Sequence, residues 1–195
     1  MSADVLFIHG SGAQSGEQGS APFVKHLRQS LGSGFRVTCP AMPAPTKPSY
    51  ERWKNELERL LPIDKSPPIL VGHSLGGSVL LKYISEHKPK VAAAGLFVVA
   101  APHWGSADWK VEEFVLRESF ARALPNALRI YLYQSRDDEV VGIEHLSRYS
   151  KAIPQATVRM VDGGGHTFQN GLLALTEDIQ ALANSLVSKQ QDGAC

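Results

Sequence analysis

Charge of one sign is nearly absent from this 195-residue chain: 20 Lys and Arg stand against 19 Asp and Glu, a formal net charge of +1. Without a basic excess or a basic run there is no sequence-independent grip on phosphate backbones, so nucleic acid is not expected as a partner. Cysteine is scarce. Cys39 and Cys195 cannot make a disulfide framework, and Cys195, the final residue, is expected on a mobile tail. Long apolar runs are missing too. The longest, Val91 to Pro102, has twelve residues, short of the ~20 that span a bilayer. Met-Ser-Ala-Asp at the start carries no basic segment ahead of Val5-Leu6-Phe7-Ile8, so no signal peptide is read there and no membrane is expected. A soluble, cytoplasmic chain is the expectation.

Metal-ligand spacing is missing as well: no pair of His, Cys or carboxylate residues falls into it, which predicts no metal. Nucleotide cofactors are disfavoured on similar grounds. Gly10-x-Gly12-x-x-x-Gly16 misses the dinucleotide spacing by one residue, and the second strand ends in Cys39-Pro40 where an acid would take a ribose. No cofactor is therefore expected. What remains is ordinary globular composition, 43% hydrophobic and 20% charged. With roughly 150 residues per domain, the length reads as one domain over 1–195.

Short apolar runs alternate with helix-period stretches along the chain. Strands are predicted at Val5–His9, Phe35–Cys39, Pro68–Gly72, Gly95–Ala100, Arg129–Tyr133 and Thr157–Val161. Several are apolar on consecutive residues, as in strands buried on both faces of a parallel sheet. Helices are predicted near 21–31, 50–61, 76–87, 111–123, 141–151 and 171–187. In the last, Leu172, Leu175, Ile179, Leu182 and Leu186 form one apolar stripe. The fold class is α/β: a doubly wound, mostly parallel six-stranded sheet with helices on both faces. Residues 39–49, with four prolines, and 101–110 are expected as loops at carboxyl ends of strands, where such sheets bind ligands.

After the third strand comes Gly72-His73-Ser74-Leu75-Gly76-Gly77 and then an apolar helix. This is G-x-S-x-G, the sharp strand-to-helix turn that lifts a serine hydroxyl above the sheet. By composition the motif arises by chance about 0.13 times in such a chain, so its context matters more than its presence. Further partners follow in the order serine, acid, histidine. The fifth strand runs into Asp137-Asp138, and the sixth into Asp162-Gly163-Gly164-Gly165-His166. Serine needs an adjacent base, which His166 would supply, and an aspartate would orient the imidazole. Asp138, three residues before Val141, is the first choice, with Asp137 the alternative. An oxyanion needs two backbone donors: Leu75 N–H, and from the loop His9-Gly10-Ser11-Gly12 the N–H of Ser11. Trp104 and Trp109 are the candidate walls of a substrate pocket.

The chain resembles the small serine hydrolases related to retinoblastoma-binding protein nine, within the α/β-hydrolase superfamily. The likeness is carried by Met42-Pro43-x-Pro45 before a helix with Trp53, Gly72-His73-Ser74-x-Gly76, Ser135-x-Asp137-Asp138 and Gly165-His166. It implies a compact hydrolase without a large lid, acting through Ser74, Asp138 and His166. Gly142 departs from the family, many of whose members carry proline there. The expected activity is cleavage of a small ester, thioester or amide through an acyl-enzyme, with a small-molecule acyl substrate. A non-catalytic protein-binding module on the same fold, with a protein partner, is the alternative.

Blander roles are expected for other residues. His73 is read as a packing residue and His9 as a hydrogen-bonding prop of the oxyanion loop. His26, His87 and His145 are read as solvated on helix faces. Phe114 and Phe120 are read first as the buried stripe of a helix, with a place in the same apolar pocket the alternative, and Trp53 as packing its helix onto the sheet.

Overall fold

The computed structural model describes residues 2–61, 66–87, 93–106 and 109–192; Cys195 lies outside them. Six strands, β1 (Ala3–Ile8), β2 (Phe35–Thr38), β3 (Ile69–His73), β4 (Gly95–Val99), β5 (Ile130–Ser135) and β6 (Thr157–Val161), form one sheet. Its order is β2-β1-β3-β4-β5-β6, and every neighbouring pair is parallel. The helices are α1 (Ala21–Leu31), α2 (Tyr50–Leu60), α3 (Leu75–Glu86), α4 (Phe120–Ala123), α5 (Ile143–Ala152) and α6 (Leu173–Asp192).

The two-residue period of a strand sends alternate side chains to opposite faces. Leu6, Ile8, Leu70, Leu96, Val98 and Leu132 meet α2, α3 and α5 on one face. Val5, Phe7, Val71, Phe97, Val99 and Tyr133 meet α1 and α6 on the other. Covered on both sides, β3 and β4 are buried at all five positions. The edge strands β2 and β6 keep exposed residues. From β1 the chain turns outward to β2, whereas β3 to β6 are added on the opposite side. This reversal leaves a crevice beyond the carboxyl ends of β1 and β3, between loops that diverge.

One predicted helix does not form. Residues 111–123 are a single turn of 3-10 helix at Glu112–Phe114, an extended stretch beginning at Val115, and the four residues of α4. Phe114, Leu116 and Phe120 are all buried against the same core, and no single helical stripe presents positions spaced by two and then four. The Val115 carbonyl accepts from Lys82 Nζ (2.8 Å) in place of a helical N–H. Phe114 and Phe120 are thus buried as expected, but not from one helix.

Phe97 is fully buried and its ring stacks on Tyr131 with centroids 4.4 Å apart. Phe97→Ala is expected to cost about 3–5 kcal/mol in urea unfolding. A cost below about 1 kcal/mol would mean that the layer closes over the void.

Candidate active site

Ser74 sits between the last residue of β3 and the first of α3, with φ 53° and ψ −124°. A non-glycine residue in this region stores about 1–3 kcal/mol of strain and stays only where its surroundings over-determine it. Here Ser74 N–H donates to Val99 O (2.8 Å), and Ser74 O accepts from Gly77 N–H (3.0 Å) and Ser78 N–H (3.3 Å). The flanking glycines let backbones meet. A Cβ on Gly72 would lie 2.6 Å from Gly77 Cα, and one on Gly76 would run into the carbonyl oxygens of Ile8 and His9. The turn is therefore wedged against the end of β1.

His166 and Asp138 arrive from the ends of β6 and β5. Ser74 Oγ lies 3.0 Å from His166 Nε2, and His166 Nδ1 lies 2.9 Å from Asp138 Oδ2. An ionised carboxylate only accepts, so Nδ1 carries the ring proton and Nε2 faces the serine hydroxyl with a lone pair. Asp138 Oδ1 also accepts from Val140 N–H (2.9 Å) and Val141 N–H (2.8 Å), and Oδ2 from Gln134 Nε2 (2.6 Å). Burial pushes the Asp138 carboxyl up, but hydrogen bonds from His166 and the Val141 and Val140 amides outweigh it and hold it below the ordinary range. Asp137 does something else. It accepts from Ser135 Oγ and from Gly165 N–H (3.0 Å), and those bonds hold its carboxyl low. Of the two adjacent carboxylates, one touches the imidazole and the other pins the backbone just before it. Gly165, at φ 54°, supplies the bend.

The loop after β1 is held by its own amides. Gly10 N–H donates to Ser20 Oγ (3.2 Å) and Gly12 N–H to Pro45 O (2.8 Å), so the amides on either side of Ser11 are committed. Met42 N–H donates to Gln14 Oε1 (2.7 Å), and Trp53 Nε1 to Pro43 O (2.9 Å). The proline-rich segment thus braces the glycine loop. His9 bonds the Cys39 thiol (2.9 Å). Neither Ser20 nor Gln134 was legible as a site residue, because their partners lie far away or depend on a turn not readable in advance.

Ser74, His166, Leu75 and Ser11 line a cavity of about 410 Å³ whose other walls include Trp104, Trp109 and Phe114. The two indoles meet edge to face with centroids 5.0 Å apart, and Trp104 lies 5.0 Å from Phe114. Val111 and Val140 stand half exposed at the rim. A larger hollow of about 920 Å³ opens beside β2 among Arg28, Arg36 and Cys39. Burial pushes its one thiol, Cys39, up to about 12, so that hollow holds no activated nucleophile.

Two histidine expectations need correction or refinement. His145 is not solvated: it is 2% exposed, accepts from His103 N–H at Nδ1 (2.8 Å) and meets the edge of Trp109. The apolar face of α5 turns it inward. His73 is buried, as a packing residue would be, but both ring nitrogens are bonded, Nδ1 to Ser20 Oγ and Nε2 to His166 O, each at 2.8 Å. Burial, followed by the nearby His166 ring, lowers His73 to about 3.

Between the ordinary histidine value of 6.5 and about 3, the unfolded chain therefore binds a proton that folded His73 refuses. Stability should fall as pH is lowered through that window. The fall in urea midpoint from pH 7 to pH 4.5 is expected to be shallower in His73→Gln. An unchanged slope would remove His73 from the acid sensitivity.

Among the described residues no helix is long and apolar enough to cross a membrane. No curated protein sequence matches the chain. Many solved structures share its fold. The product of the ydeN gene of B. subtilis superposes with a TM-score of 0.73 at 20% identity, over 94% of this chain and all of that one. Est1E from Butyrivibrio proteoclasticus gives 0.71 at 13% identity, over 96% and 89%. A thioesterase domain from the curacin biosynthetic pathway gives 0.68 at 17% identity, over 92% and 91%. At such identities the likeness establishes an α/β-hydrolase fold. The sequence model of one family, serine hydrolase, matches residues 6–184.

Proposed function

The chain belongs to the serine hydrolase family, and on that premise we propose that it cleaves a small carboxylic ester through an acyl-enzyme on Ser74. The observation that carries this is the unbroken chain from Ser74 Oγ through His166 to Asp138 at the floor of an apolar cavity. In this reading the hydroxyl proton passes to His166 Nε2 as Oγ attacks the ester carbonyl carbon. The N–H groups of Leu75 and Ser11 stabilise the oxyanion. Collapse expels the alcohol, which takes the proton from Nε2. Water then attacks the acyl-enzyme with His166 again accepting a proton, and the carboxylic acid leaves as Ser74 is restored. Asp138 holds the tautomer and stabilises the imidazolium without itself taking a proton.

Trp104, Trp109 and Phe114 favour an apolar acyl group of short or medium length, since the cavity is small and its walls carry no charge. Within the family, Met42-Pro43-x-Pro45 and Asp137-Asp138 support a place beside the relatives of retinoblastoma-binding protein nine. A cytoplasmic location belongs to the same reading.

Intact mass after incubation with a fluorophosphonate should show one adduct on the wild type and none on Ser74→Ala or His166→Ala. An unlabelled, folded wild type would favour the non-catalytic binding protein. Among the aspartates, Asp138→Asn should lower kcat by about 10⁴-fold, and Asp137→Asn by far less. The reverse order would transfer the acid role to Asp137.

A further inference from the structure

His73 occupies the variable position before the serine in the Gly-x-Ser-x-Gly turn, a place where the chemistry prescribes no side chain. Its ring is 2% exposed and packs edge-on against Phe23, centroids 5.8 Å apart. The hydrogen bonds around it have only one consistent direction. The His166 carbonyl oxygen can only accept, so His73 Nε2 carries the proton. Nδ1 is then the acceptor, and the Ser20 hydroxyl must donate to it. The Ser20 oxygen keeps a lone pair for the Gly10 N–H. A single chain therefore runs from Gly10 N–H through Ser20 and His73 to the His166 carbonyl. It joins the loops that follow β1 and β6 to the last residue of β3.

We propose that His73 is a positioning residue: by holding the His166 backbone carbonyl it sets the imidazole against Ser74, and Ser20 fixes the tautomer in which it can do so. This rests on the assignment of Ser74 and His166 above. The groups facing the ring support it. His166 lies 5.1 Å away ring to ring, and His9 and Asp138 act on it electrostatically. Buried and held to about 3, His73 stays neutral wherever a serine hydrolase works, and so keeps one donor and one acceptor. It neither touches the reacting atoms nor exchanges a proton with them.

Two amides separate the two bonds. Glutamine places its amide nitrogen near the position of Nε2 and can still donate to the His166 carbonyl. Asparagine reaches only as far as Nδ1, so it keeps the bond to Ser20 and loses the one to His166. The experiment measures kcat and KM on p-nitrophenyl butyrate, and fluorophosphonate labelling rates, for wild type, His73→Asn and His73→Gln. His73→Asn is expected to lose about 10²-fold in kcat and in labelling rate, the scale of a 1 Å misplacement, with KM unchanged. His73→Gln should recover most of that loss.

Equal rates in the two variants, or a change confined to KM, would overturn the proposal. So would wild-type kcat in a His73→Asn protein that is merely less stable, since a packing role moves stability alone. If His73→Asn does not fold, Ser20→Ala reads the same chain. There kcat should fall with KM held, and a wild-type kcat would overturn the proposal. An unlabelled wild type would overturn the assignment of Ser74, and the inference with it. A labelled wild type with an unaffected His73→Asn would overturn the inference alone.

Discussion

The backbone at Ser74 is the constraint around which the rest of the site is organised. A serine at φ 53° is unfavourable by itself, and it persists because β1, β3, β4 and α3 meet there with no room to relax. Val99 O and the first turn of α3 take its polar groups, while Ile8 and His9 press against Gly76 from the neighbouring strand. The hydroxyl is thereby presented from a rigid element at the start of a helix. The loops after β5 and β6 have only to bring partners to it. Interiors packed at crystal-like density can hold such strain, because any relaxation would displace several neighbours at once.

Each loop around Ser74 is held by a group outside the Ser74–His166–Asp138 hydrogen-bond chain. Asp137 ties Gly165 to the end of β5, Gln134 and two valine amides seat Asp138, and Ser20 ties the glycine loop to His73. The electrostatics agree with this division. Asp138 is kept ionised by converging N–H donors, whereas His73 is kept neutral by burial. In the proposed mechanism, a carboxylate hydrogen-bonded to His166 would favour the imidazolium that forms as Ser74 gives up its proton. A second positive charge nearby would oppose it, and a neutral His73 avoids that cost.

The second wall of the cavity has a different origin. Residues 101–106 leave β4 at its carboxyl end, and residues 109–123 return to the core through α4. Trp104, Trp109, Val111 and Phe114 project from these stretches. The sequence predicts a helix near 111–123 with Phe114 and Phe120 on its buried stripe. The chain buries them from an irregular path, with Lys82 supplying the hydrogen bond that a helix would have made at Val115. Propensity yields to tertiary packing where a segment must cover a cavity and not merely lie on a sheet.

What the sequence by itself determined was local or periodic: alternating apolar runs that announce buried parallel strands, the apolar stripe of α6, and the glycines around Ser74. Strand order on a parallel sheet then requires that groups at carboxyl ends share one edge, so Ser74, His166 and an aspartate were readable as neighbours. Only the tertiary structure shows which of Asp137 and Asp138 touches the His166 ring, and it is Asp138. They are adjacent in sequence, and which carboxylate reaches the ring depends on the turn that Val140 and Val141 close. It also decided that His145 points inward and that His73 spans two loops. Those outcomes depend on contacts between residues 42, 53 and 93 positions apart, and such contacts leave no local signature because the folded sheet alone brings them within hydrogen-bonding distance.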